Sequence, residues 1–197
     1  MTYPFAGTIN YGGCAATYSK TCAEQKTLLY SLPNPFPISS FSCTTPTNQC
    51  SKLVPFTGSN IIGTARVFIT FLPYLSGISA LAQQCNAKVY ITSSFRCMTC
   101  PVSGAVVNPS DKSNHHAGYA IDYNLGPSNK SVNECRSDCL ASKNPPSYAK
   151  CFTSGLAGLG LRDGRQIQPS DPVHFDYPIN LIDPKLYESI RNSIRNC

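Results

Sequence analysis

The chain has 197 residues, of which 42% are hydrophobic and 13% are charged, and this composition excludes an intrinsically disordered protein. Its formal net charge is +6, but it lacks basic runs and aromatic residues interleaved with arginines, so nucleic acid is not expected as a partner. No segment approaches the length and apolarity of a membrane span.

The cysteine content points to an oxidising compartment. Eleven cysteines predict disulfide bonds in a secreted protein. The start of the chain lacks a signal peptide, so we expect that Met1 replaces a removed leader. Because the number of cysteines is odd, at least one thiol is unpaired or pairs between molecules, and Cys197 is the first candidate. A four-thiolate zinc site formed by segments 97–100 and 135–139 is the alternative to disulfides there, and we favour disulfides.

The first part of the chain differs from the rest. Residues 1–58 are rich in turns and prolines and contain four cysteines, which predicts a disulfide-stapled extension. We expect this extension to pack on a main domain over residues 59–197. A separate small module that binds a cell wall or a glycan is the alternative.

The main domain begins with apolar side chains at three- and four-residue spacing between residues 64 and 81, which predicts a buried helix. Pro73 lies within this pattern, so we expect a kink or two shorter helices. The composition of residues 88–92 predicts a strand, and residues 120–123 and 173–177 predict two more.

The remaining segments are predicted to form loops and helices. Residues 126–151 are predicted to form a loop or a short helical insert tied by cysteines. Asp183 followed by Pro184 is typical of a helix start. The apolar stripe of this last helix would consist of Leu186, Ile190 and Ile194.

Two short motifs contain all three histidines of the chain, and both motifs include carboxylates. The first runs from Ser113 to Asp122 and the second from Asp171 to Asp176. Two imidazoles and one carboxylate form a ligand set for zinc that leaves one position of a tetrahedral site open. An open position is typical of catalytic rather than structural zinc, so the motifs predict a zinc hydrolase.

Other residues of these motifs have expected roles as well. Asp171 is placed to take a proton from water at the open position. Arg96 follows the predicted strand 88–92, and its fixed charge could bind a substrate carboxylate or an oxyanion. Asp176 could be a surface carboxylate. His116 would point away from a metal bound by its neighbour His115, so we expect it to line the cleft or to be exposed.

These motifs resemble those of the zinc D-alanyl-D-alanine carboxypeptidase and L-alanyl-D-glutamate peptidase family of bacterial wall enzymes, which shares a fold with the hedgehog signalling domain. Residues 113–122 match every fixed position of Ser-x-His-x-x-Gly-x-Ala-x-Asp. The second motif of the family is an acidic residue, any two residues and His-Phe, and residues 171–175 match it. Residues 93–96 match a Ser-Gly-Tyr-Arg-like segment that precedes both motifs in the family. The resemblance covers residues 60–180.

The resemblance implies a site and a fold. Its metal ligands would be His115, Asp122 and His174. Asp171 would be the base, Arg96 the arginine that binds substrate and transition state, and Ser113 a further substrate contact. The implied fold is α+β, with a small antiparallel sheet that carries the zinc site and packs against helices.

The resemblance also implies an activity. The protein would be a secreted zinc peptidase that cleaves an amide bond in the stem peptides of peptidoglycan, acting as a monomer on peptidoglycan or its muropeptides. Aspartate at the base position resembles the L-alanyl-D-glutamate endopeptidase branch. The cysteine content and the extension depart from bacterial members. A non-catalytic binding or signalling protein on the same zinc fold is the alternative.

Overall fold

The structure is a computed structural model that describes residues 49–98, 100, 110–132 and 134–197. Most of the predicted extension over residues 1–58 lies outside the described residues. The division between extension and main domain therefore stays a prediction.

Strands form two sheets in the described part of the chain. They are β1 (Leu53–Phe56), β2 (Ile61–Ile62), β3 (Ala65–Phe68), β4 (Ala87–Ser93), β5 (Ala120–Pro127), β6 (Arg162–Asp163) and β7 (His174–Asp176). β1 and β3 form a two-stranded antiparallel sheet, and the other five strands form a sheet in the order β2-β4-β5-β7-β6. In the larger sheet β2 is parallel to β4, whereas the other neighbours are antiparallel. The sheet is therefore mixed, not purely antiparallel as expected.

Short helices accompany these sheets. They are α1 (Leu72–Leu75), α2 (Ile78–Gln84), α3 (Ser137–Ala141), α4 (Ser147–Gly155), α5 (Ile179–Ile182) and α6 (Pro184–Ile194). The predicted α+β class is confirmed. α3 and the start of α4 lie in the predicted insert over residues 126–151, and the strands predicted around residues 88–92, 120–123 and 173–177 are β4, β5 and β7.

The helix predicted over residues 64–81 is wrong in its first part. Ala65 and Val67 are buried while Arg66 between them is exposed, which is the alternation of a strand, and this strand, β3, pairs with β1. The later part forms α1 and α2, so the two shorter helices expected from the proline are confirmed. Pro73 lies in the first turn of α1, where its missing N–H has no helical partner to lose.

The last helix begins where the sequence predicts. The Asp183 carboxylate accepts a hydrogen bond from the Leu186 backbone N–H at 2.9 Å and so caps the N-terminus of α6. The buried face of α6 includes Tyr187, Ile190 and Ile194, whereas Leu186 is only half-buried. The predicted stripe is thus shifted by one residue at its start.

Disulfide bonds connect the described cysteines in four pairs: Cys50–Cys197, Cys85–Cys151, Cys97–Cys100 and Cys135–Cys139. The expectation that Cys197 is unpaired is wrong, because its sulfur is bonded to that of Cys50. The four-thiolate zinc alternative is wrong too, since segments 97–100 and 135–139 each close a disulfide of their own. Cysteines 14, 22 and 43 lie outside the described residues. The disulfides are consistent with an extracellular protein.

Helices of the described segments are all too short or too polar to cross a lipid bilayer.

Candidate metal site

Sheet register brings two of the predicted ligands together. β5 and β7 are antiparallel neighbours, and Asp122 is directly opposite His174 in their register. Side chains of directly opposite residues lie on the same face of a sheet. The Asp122 Oδ1 and His174 Nδ1 atoms are 2.9 Å apart.

The third predicted ligand enters from a short 3-10 helix, Asn114–Ala117, that precedes β5. The Ser113 hydroxyl caps this helix by accepting a hydrogen bond from the His115 N–H at 3.3 Å. The helix ends at Gly118, which has a positive φ of 71°. A Cβ at this glycine would also lie 2.7 Å from the backbone nitrogen of Phe68. Glycine is therefore required both by the backbone conformation and by the close approach to β3.

The predicted ligand atoms converge on one point. His115 Nε2 lies 3.0 Å from Asp122 Oδ1 and 3.2 Å from His174 Nδ1. Both histidines are buried, with side chains 5% and 8% exposed, and Asp122 is half-buried. The three residues form a group that could hold a metal ion.

Each histidine is oriented by an acceptor on its outer nitrogen. His115 Nδ1 lies 2.6 Å from the carbonyl oxygen of Ser94, which can only accept, so Nδ1 donates and Nε2 presents its lone pair to the group. His174 Nε2 lies 3.3 Å from a carboxylate oxygen of Asp176, and this contact leaves the lone pair on Nδ1. Such outer partners select the tautomer that binds a metal.

The three ligand atoms of this group carry lone pairs, and one belongs to a carboxylate, so a positive charge among them stabilises the group. Three lone pairs that face one another repel unless a proton or a cation lies among them. Burial opposes protonation of His174, but its contacts with Asp122 and Asp176 raise its pKa to about 9. Burial would raise the pKa of Asp122, yet the adjacent His115 and His174 rings hold it well below its usual value. A metal cation would supply the same positive charge, so the donor set fits such an ion.

A buried polar network holds Asp176 behind His174. Arg162 donates two hydrogen bonds to its carboxylate, from Nε at 2.9 Å and Nη2 at 2.7 Å, and Asn114 donates a third at 2.7 Å. These bonds and the His174 contact lower the pKa of Asp176 to about 2 although burial acts in the opposite direction. Asp176 is 1% exposed, so the expectation of a surface carboxylate is wrong.

The predicted base lies beside the group. The Asp171 carbonyl accepts a hydrogen bond from the His174 N–H at 3.1 Å. Burial raises the pKa of the Asp171 carboxyl, and the nearby negative charge of Asp122 acts in the same direction, whereas His174 opposes it. The Asp171 Oδ1 atom is buried and has no hydrogen-bond partner within the part of the chain that the structure describes.

Arg96 contacts the segment that carries His115. Its backbone N–H donates to the His115 carbonyl at 3.2 Å, and its guanidinium Nη2 is 3.5 Å from the Ser113 hydroxyl. Burial lowers the pKa of Arg96, while the negative charge of Asp122 opposes this effect. The predicted arginine, serine and metal-binding residues are therefore neighbours in the fold.

His116 does not belong to the ligand group. It is 8% exposed, so the expectation that it could be an exposed residue is wrong. Burial lowers its pKa, and the positive charge of Arg96 acts in the same direction. The side chain is thus kept neutral next to the candidate site.

Comparison with known proteins adds no family. No family model matches the chain, and no curated protein does.

The sequence analysis missed three residues that support the candidate site, the outer partners Asp176, Arg162 and Asn114. For Asp176 a signal was present in the sequence, because residues two apart on a strand share one face and His174 is two positions before it.

Proposed function

We propose that the protein is a secreted zinc peptidase that hydrolyses an amide bond in peptidoglycan stem peptides, as an L-alanyl-D-glutamate endopeptidase or a D-alanyl-D-alanine carboxypeptidase. The observation that carries this proposal is the convergence of His115, Asp122 and His174 beside a half-buried carboxylate, Asp171, and a half-buried guanidinium, Arg96. The motif resemblance supplies the substrate class, and the disulfides support secretion.

The donor set supports zinc as the metal. Two imidazoles and one carboxylate are typical ligands of catalytic zinc. Ligand atoms about 2.0–2.1 Å from a tetrahedral zinc ion lie about 3.3–3.4 Å from one another. The three ligand atoms of this group are separated by 2.9 to 3.2 Å, so only a slight expansion is needed to hold the ion.

In this proposal the metal ion and the side chains supply different parts of the catalysis. A zinc ion held by this group would polarise a carbonyl group and make a water molecule more acidic. Asp171 accepts the proton of the attacking water and delivers it to the leaving amine. Its raised pKa makes it a stronger base than an exposed aspartate, which favours proton transfer near neutral pH.

Arg96 binds negative charge in this proposal. Its Nε atom is buried without a hydrogen-bond partner among the described residues, and its Nη2 contact with Ser113 is long, at 3.5 Å. The guanidinium therefore has N–H groups to donate to a substrate carboxylate or to an oxyanion. Ser113 contributes a hydroxyl beside the guanidinium.

Mass spectrometry of defined muropeptides tests the proposal. We expect cleavage of one amide bond by the zinc-loaded protein, and none after a chelator removes the metal. The masses of the products identify the bond. Bound zinc without cleavage of any muropeptide would contradict the peptidase and favour a binding or signalling protein.

The Asp171→Ala variant tests the mechanism. We expect it to bind zinc like the wild type but to lose about 10²–10⁴-fold in kcat, because general-base catalysis is removed. Asp138→Ala is the matched control, since this aspartate is exposed on α3. Full activity of Asp171→Ala would contradict the assigned base.

A further inference from the structure

Gly164 packs directly against the segment that contains the proposed base Asp171 and the proposed ligand His174. It follows β6 and begins a 3-10 helix, Gly164–Gln166. Its carbonyl accepts the N–H of Asp171 at 3.0 Å, and the Asp171 carbonyl in turn accepts the N–H of His174 at 3.1 Å. Two consecutive hydrogen bonds therefore connect Gly164 to the proposed base and to a metal ligand.

A side chain at this position has no space. A Cβ on Gly164 would overlap the carbonyl oxygen of Asp171 and would lie 2.8 Å from both the Cβ and the carbonyl oxygen of His174. The overlapping atoms belong to the backbone or to its first side-chain carbon, so no rotation of a flexible side chain can relieve them. The absence of a Cβ is what permits this close approach.

The turn around Gly164 is held from its other side. The Asp163 carboxylate accepts the N–H of Arg165 at 2.8 Å and the Nε–H of the same arginine at 3.0 Å. Asp163 is 4% exposed and is paired with Phe175 in the register of β6 and β7. Because this anchored turn cannot move away freely, an added atom at Gly164 would displace Asp171 and His174.

We propose that Gly164 is a positioning residue that sets the distance between the base Asp171 and the metal ligand His174. This inference rests on the proposed function. It assigns to Gly164 no contact with substrate or metal. Its effect passes through the backbone of the two residues that it touches, so a change there should alter metal binding as well as turnover.

Cobalt binding by the purified full chain tests the proposal without any substrate. We expect Gly164→Ala to bind Co²⁺ about 10–100-fold more weakly than the wild type, as for the loss of other groups that orient metal ligands. Its visible absorption spectrum should differ too, because His174 moves. With zinc and a muropeptide, kcat should fall about 100-fold, since a displacement of about 1 Å can have this effect.

Gly158→Ala is the matched control. This glycine lies in the preceding 3-10 helix, Leu156–Leu159, and a Cβ there would meet no atom within 4 Å. We expect wild-type cobalt affinity and spectrum from this variant. Equal losses in both variants would overturn the proposal, and so would wild-type cobalt binding and spectrum in Gly164→Ala.

If Gly164→Ala does not fold, amide hydrogen exchange of the wild type tests the role of Gly164 instead. The amides of Asp171 and His174 donate the two hydrogen bonds that connect Gly164 to the proposed ligand, so metal binding should slow exchange at both amides. The amide of Gly160, which donates within its own turn, should not respond. Unchanged exchange at residues 171 and 174, or a wild type that binds no metal, would overturn the proposal. A wild type that shows these metal effects but cleaves no muropeptide would refute the peptidase alone.

Discussion

The two faces of β7 differ in what they do for the molecule. His174 and Asp176 lie on one face, where they contact each other and belong to the buried polar site. Phe175 lies on the opposite face, where its ring is 5.2 Å from that of Tyr123, which in turn is 5.6 Å from that of Phe152. One short strand thus separates a face that carries the candidate metal site from a face for packing, and the alternation of side chains is the physical cause.

The two faces of β7 also differ in the interactions that stabilise them. On the polar face, charged groups are buried and each depends on a partner, as Asp176 depends on Arg162. On the apolar face, aromatic rings contribute through burial and contact. Substitutions on the polar face should therefore change metal affinity, whereas substitutions on the apolar face should change the free energy of unfolding.

His174→Ala should have the largest effect. It removes one of the three proposed ligands, so we expect metal affinity to fall by more than the roughly 10–100-fold that follows loss of an outer partner. Activity should be lost with the metal. Metal content after dialysis, measured by mass spectrometry, checks this, and retention of one tightly bound metal would refute the assignment of His174.

Asp176→Asn should have a smaller effect on the same face. We expect about 10–100-fold weaker metal binding, because the carboxylate that orients His174 and pairs with Arg162 is lost. Competition with a coloured chelator measures the affinity. Asp138→Asn, at an exposed position of α3, is the control, and equal affinities in all three proteins would show that Asp176 does not support the site.

Phe175→Leu tests the apolar face. We expect the free energy of unfolding to fall by about 1–3 kcal/mol, less than the roughly 3–5 kcal/mol typical of a buried Phe→Ala change. Urea denaturation of the metal-free protein measures this. Metal affinity of the folded variant should stay at the wild-type value, and a loss like that of Asp176→Asn would mean that the two faces are not independent.

Tyr123→Phe should have the smallest effect. The Tyr123 hydroxyl is buried without a hydrogen-bond partner in the described segments, and burial strongly raises its pKa. Removing an unpaired buried hydroxyl leaves no group unsatisfied, so we expect unchanged or slightly increased stability. Thermal unfolding checks this, and a clear decrease in Tm would reveal a partner for the hydroxyl.

The three residues of the candidate metal site were predictable because local motifs contain them. The spacing of His115 and Asp122 and the composition around His174 indicate metal binding without knowledge of the fold. The sequence places Asp176 on the same strand face as His174, but it does not show whether that carboxylate faces solvent or a buried arginine. Its partner Arg162 is on β6, and only the sheet order brings the two together.

Long-range pairing also explains the other errors. Val67 and Phe68 fit a helical spacing, but pairing with β1 makes them part of a strand. Cys197 pairs with Cys50, which is 147 residues away in the chain, and sequence spacing cannot reveal such a bond. The parallel pairing of β2 with β4 is also invisible in the sequence, because a strand of two residues is too short to show an alternating pattern.

Titration of the metal-free protein with zinc tests the central claim most directly, when cleavage of a muropeptide is followed at each addition. We expect no cleavage without metal, a cleavage rate that rises linearly with added zinc and saturates at one zinc per chain, and no cleavage by His174→Ala at any zinc concentration. Cleavage by the fully chelated protein, or zinc binding that leaves the protein inactive on every muropeptide, would contradict it.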